Sequence, residues 1–198
     1  MKSPKLPPIA APDIKAGPEI ISDFQRARRA EGRIWADGYT QTELDAAQET
    51  FGLTFPPDLI DLFLDRRPVQ GWDWRYDQQK IRQMLEWPLK GLLFDVENGQ
   101  LWWSEWGERP ARPEERAEVL RALVGQAPKL VPLFAHRYLP SDPNEPGNPV
   151  FSIYQSDIIY YGANLADYFE QEFGGNRAQV SGPFKHIRFW SDFVEQAL

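Results

Sequence analysis
The sequence predicts an α+β fold: a single domain with a mainly antiparallel sheet flanked by N-terminal and C-terminal helices. Two observations carry this. Leu130–Phe134, Val150–Tyr154 and Ile158–Tyr161 are runs of β-branched and aromatic residues separated by turn chemistry, and Gln155-Ser156-Asp157 is short enough to join the last two as a hairpin. Capped amphipathic patterns lie before and after these strands, which places helices around a sheet.

In chain order, Met1 to Gly17 carries Pro4, Pro7, Pro8 and Pro12 and is expected as an extended proline-rich arm, with residues 18–198 as the domain. Pro18 and Glu19 suit a helix start, and Arg26, Arg28, Arg29 and Arg33 make the most basic patch. Thr40-Gln41-Thr42-Glu43 is a capping box, followed by a helix that Gly52 stops. Pro56-Pro57-Asp58 starts another, with Leu59, Ile60, Leu62, Phe63 and Leu64 as its buried side, ended by Arg66-Arg67-Pro68. A short helix over Gln78–Leu85 is expected to break at Trp87-Pro88. Leu92–Val96 then reads as a strand, Asn98-Gly99 as a hairpin turn and Leu101-Trp102-Trp103 as the return strand. Glu114–Gln126 is a polar helix with Ala117, Leu120, Leu123 and Val124 inward. The loop Ser141–Pro149 holds three prolines and is expected to be rigid and exposed. A helix from Asn164 stops at Gly174-Gly175, Phe184–Trp190 is a strand candidate, and Ser191 caps a last helix.

Composition narrows the function. With 198 residues, 42% apolar and eight Trp, the chain has ample material for one core. A net charge of −7 argues against direct binding to DNA or RNA, which takes clustered Lys and Arg, and suits a basic protein partner. The absence of cysteine excludes disulfides, thiolate catalysis and cysteine-held zinc or iron–sulfur centres. Residues 1–17 have no apolar signal core, and no run approaches the roughly 20 apolar residues of a membrane span. The expectation is a soluble cytoplasmic protein that neither enters a membrane nor needs a cofactor.

Catalytic signals are thin. There is no HExxH, GxSxG or GxxxxGK[ST]. The one catalytic sketch pairs His136 with Asp157 or Asp142 as an oriented base, and a loop histidine bonded to a neighbouring turn accounts for the same residue without chemistry. Asp142, Glu145 and Asp157 offer oxygen ligands, but their spacing matches no metal loop, so no metal is expected. From Ser141 through Phe173 there are six acidic residues and no Lys or Arg. If Asp142, Glu145 and Asp157 share one rim beside exposed rings at Trp72 and Trp74, they form a partner-binding surface. Those five residues are the candidate site.

Three motifs resemble the SUKH superfamily, the Smi/Knr-like proteins of bacteria and fungi. The first runs Thr42-Glu43-Leu44, Ala47, Phe51-Gly52-Leu53-Thr54-Phe55-Pro56-Pro57-Asp58-Leu59 and Phe63-Leu64. The second runs Trp87-Pro88-Leu89 to Gly91-Leu92-Leu93-Phe94-Asp95, with Trp106-Gly107 beyond. The third is His136-Arg137-Tyr138-Leu139-Pro140, Gly147-Asn148-Pro149-Val150 and Asp157-Ile158-Ile159-Tyr160-Tyr161-Gly162. The resemblance covers about residues 40–195 and is to the longer bacterial members. It departs at Gln48, where the family often has glutamate. It implies a non-enzymatic protein-binding domain, either an immunity protein neutralising a nuclease-type toxin or, alternatively, an intracellular regulatory scaffold.

Overall fold
A computed structural model describes residues 35–99, 101–173, 180 and 182–196. The proline-rich arm, the helix at Pro18 with its arginine patch, and the Gly174-Gly175 stop lie outside those residues. The described chain is α+β with two antiparallel sheets. β1 (Trp35–Asp37) pairs with β2 (Arg66–Pro68), and a meander follows in the order β3 (Leu130–Phe134), β4 (Arg137–Pro140), β5 (Val150–Tyr154) and β6 (Asp157–Gly162).

Local chemistry sets the first helices. In α1 (Gln41–Phe51) the Thr40 hydroxyl accepts from the Glu43 N–H, and the Glu43 carboxylate accepts from the Thr40 N–H at 2.8 Å. Gly52 ends the helix in the left-handed region at φ 61°, which other residues adopt at a cost. α2 (Pro57–Asp65) starts on Pro57 and buries only Leu59 and Phe63. Leu64 points out, because a nine-residue helix packed on one side buries an i, i+4 stripe and not every apolar residue.

The largest departure from expectation is α3, a single helix from Gln78 to Asn98. It runs through Pro88 and absorbs both the Leu92–Val96 strand and the Asn98-Gly99 hairpin. Its buried residues Ile81, Met84, Pro88, Leu92 and Val96 follow helical spacing across the supposed break. Pro88 has no N–H to give the Met84 carbonyl one turn back. The buried Tyr138 hydroxyl on β4 donates to that carbonyl instead, at 2.8 Å. The proline is tolerated because another strand supplies the donor it lacks.

Leu101–Trp103 form no strand. They lead into a 3-10 turn (Ser104–Trp106), and the Trp102 indole N–H donates to the Gly107 carbonyl at 2.9 Å. α4 (Pro113–Gln126) is tied to α3 by a two-point Arg116–Glu97 pair. Within the meander, β4 is the strand that sequence reasoning missed. β5 is buried over Val150–Ile153, so both faces of the sheet are covered there. α5 (Leu165–Phe173) and α6 (Trp190–Gln196) pack on β6. The Phe184–Trp190 strand candidate pairs with no strand among the described residues; Phe184 instead stacks flat on Tyr160 with centroids 4.1 Å apart.

The three sequence motifs meet in space. Asp58 accepts from the Gly147 N–H at 2.9 Å, and the Asn144 amide donates to the Phe55 carbonyl, so the first motif anchors the loop of the third. Asp95 on α3 accepts from the N–H and hydroxyl of Ser156 in the β5–β6 turn. One turn earlier, a Cβ on Gly91 would lie 2.9 Å from the Gln155 Cα, so only glycine lets the helix approach the turn this closely. Gln48 accepts from the Phe55 N–H at 2.8 Å, a contact for which a side-chain carbonyl suffices. These motif residues are engaged in holding elements together.

Candidate partner-binding surface
The expected surface does not assemble. Trp72 and Trp74 are each 3% exposed and belong to the core. Their loop folds inward around Tyr39, whose hydroxyl donates to the Trp72 carbonyl and accepts from the Trp74 N–H. Burial pushes the Tyr39 phenol up to about 12. Asp73, between the two tryptophans, stays at the surface of this packing. Arg75 grips it at both oxygens, which holds its carboxyl below the usual range.

The carboxylates are also apart. Asp142 and Glu145 lie in the loop entering β5 at Val150, whereas Asp157 pairs with Tyr154 at the far end of that strand. The five residues of β5, at about 3.3 Å each, put roughly 13–17 Å between the strand end that the loop enters and the end that carries Asp157. Among the described residues no group of three His, Asp or Glu is placed to hold a metal ion. Nor is the acidic stretch uniformly free. Glu145 pairs with Lys185 at 2.7 Å, and Asp167 accepts from the Ala163 N–H at the start of α5. Glu172 is mostly buried against Arg137, with Nε and Oε2 3.5 Å apart in an ion pair. Asp142, Asp157 and Glu170 remain on the surface.

His136 sits in the β3–β4 turn with its ring 6.2 Å from that of Tyr154. Burial, assisted by the Arg137 charge, pushes its imidazole down to about 4. No carboxylate among the described residues is hydrogen-bonded to it, so the sketched pairing of His136 with Asp157 or Asp142 does not form there.

A different surface has the required parts. An open cleft of about 450 Å³ lies between the 3-10 turn, the end of α4 and α6. Trp103, Trp106 and Phe189 give it aromatic walls, and Glu105, Asp192 and Glu195 place carboxylates at it. Among the described residues its lining cation is Arg188. The walls are fixed to the core: the Trp103 centroid is 4.2 Å from that of buried Phe193 and 4.9 Å from that of Trp106. At the start of α6 the Phe189 N–H donates to Asp192 at 3.0 Å. The ring nitrogens of exposed His186 face Glu195 at 3.0 Å and Asp192 at 3.3 Å. Sequence reasoning did not single out this cleft. Its local signal was Trp102-Trp103-Ser104-Glu105-Trp106, three tryptophans around a carboxylate; the α6 half lies some 80 residues on.

Among the described residues no helix is long and apolar enough to cross a membrane. No protein family, curated protein or solved structure matches the chain.

Proposed function
We propose that this chain is a non-enzymatic protein-binding module of the SUKH type. Its partner is a basic protein, and a nuclease-type toxin neutralised by an immunity protein is the class that the motif resemblance implies. One observation carries the reading: a pre-formed cleft with tryptophan walls and three carboxylates, on a chain of net charge −7. Aromatic rings held rigid lose little entropy on binding and bury large area, and flanking carboxylates speed encounter with a basic surface. The state of His136 fits a module without chemistry, since an imidazole pushed down to about 4 is a weak proton acceptor at neutral pH.

The motif contacts bear on this division of labour. Asp58, Asp95 and Gly91 are committed to packing, so partner choice falls to surface residues outside those contacts. The test begins with affinity capture on the purified chain, followed by reconstitution with the purified captured protein. The reading expects a basic partner in a stoichiometric complex, and inhibition of nuclease activity if the partner is a toxin. A purified chain that turns over a substrate, with the activity lost in His136→Ala, would replace it with an enzyme.

A further inference from the structure
We infer that the Trp103–Trp106 cleft receives an arginine side chain of the partner protein, its guanidinium laid on the indole faces and held by Glu105, Asp192 and Glu195. The inference rests on the protein-binding reading and names the group that the site recognises. Three carboxylates face Arg188 and the neighbouring His186, which touches two of them, and outnumber both even if His186 is counted as a cation, so the occupant that complements the lining is cationic. Aromatic walls favour a cation that also has a flat, weakly hydrated face. A guanidinium stacks on indole and meets carboxylates with a planar fork of donors, whereas an ammonium does neither.

The chain uses the same recipe inside its own fold. Arg137 lies 3.7 Å from the Tyr161 ring centroid with Glu172 beside it. Arg75 lies 5.2 Å from the Tyr39 centroid and binds Asp73 and Glu43. In the cleft, rings and carboxylates are present with room for a further side chain. The rings need no rearrangement to receive it, because Trp103 packs on Phe193 and the Trp102 indole pins the turn through Gly107.

The probes are three hexapeptides, one of arginine, one of lysine and one neutral and proline-rich, titrated into the full chain while the tryptophan indole N–H signals are followed by NMR. The arginine peptide is expected to move the Trp103 and Trp106 signals saturably, with the lysine peptide binding several-fold more weakly. The carboxylate triple E105Q/D192N/E195Q should lose about tenfold in affinity, as truncated charge-assisted contacts do. A control triple of exposed residues, E49Q/D61N/E170Q, has the same net charge and should change affinity by about twofold at most. E105Q alone, in an exposed turn, gives a partial loss without risk to the fold. Equal losses in the two triples, shifts confined to other tryptophans, equal binding of lysine, or preference for the neutral peptide would each overturn the inference. A captured partner that binds the cleft triple as tightly as the wild type would also overturn it, while leaving the protein-binding reading intact.

Discussion

Tyr138→Phe removes one oxygen from a fully buried ring, and its cost should depend on a residue 50 positions away. The hydroxyl donates to the Met84 carbonyl, which Pro88 leaves without its helical partner. Deleting the donor strands a buried carbonyl, at a cost of about 1–3 kcal/mol. Pro88→Ala restores a backbone N–H aimed at the same carbonyl. In that background the Tyr138→Phe change should cost about 1 kcal/mol or less, giving a coupling of about 1–2 kcal/mol. The Pro88→Ala change by itself is not the informative quantity, because helix propensity rises while a buried ring is lost. Urea denaturation of the wild type, both single variants and the double variant measures the coupling. Equal costs of Tyr138→Phe in the two backgrounds would show that the hydroxyl does not compensate for the proline.

Two further predictions concern stability. Gly91→Ala and Gly125→Ala are the same substitution in helices with opposite expected signs. Among the described residues nothing lies within 4 Å of a Cβ at Gly125, so alanine there should stabilise by about 0.5–1 kcal/mol. At Gly91 the new carbon meets Gln155 backbone at 2.9 Å, and overpacking should outweigh the propensity gain for a net loss of about 1–2 kcal/mol. Thermal melts would show the two shifts, and a stabilised Gly91→Ala would refute the close approach of α3 to the hairpin. His136 sets a pH dependence. An unfolded histidine titrates near about 6.5, so between about 6.5 and 4 the unfolded chain binds a proton that the folded chain refuses. Stability from this residue is therefore full above about 6.5 and lost as pH falls toward 4, by about 1–3 kcal/mol. Denaturation at pH 7.5 and 4.5 should show a smaller loss in His136→Gln than in the wild type; equal losses would mean that the ring is solvated.

What was legible in the sequence is what depends on neighbours in the chain. The Thr40 capping box, the Gly52 stop and the β5–β6 hairpin are set within a few residues, and each forms as expected. What was not legible depends on distant partners. Trp87-Pro88 reads as a break until Tyr138 is placed beside Met84. Arg137–Pro140 is a poor strand by composition, but Arg137 is sheltered by Ser152, Tyr161 and Glu172, and the strand sits between β3 and β5. The same limit governs the site. A loop tryptophan reads alike whether it caps a core, as Trp72 and Trp74 do, or lines a cleft, as Trp103 and Trp106 do. Asp142, Glu145 and Asp157 are close enough in sequence to suggest one rim, and the β5–β6 ladder puts Asp157 at the opposite end of β5 from the loop that carries the other two.

The central claim is that the chain works by binding a basic protein through the Trp103–Trp106 cleft. The measurement that tests it most directly is the association kinetics of the purified captured partner with the wild type, E105Q/D192N/E195Q and E49Q/D61N/E170Q, across a range of salt. The account predicts an on-rate that falls with salt for the wild type, since exposed charges are screened within about 8 Å at physiological ionic strength. It predicts that the cleft triple loses most of the affinity and the control triple little. An acidic partner, salt-independent association, or full affinity in the cleft triple would contradict it.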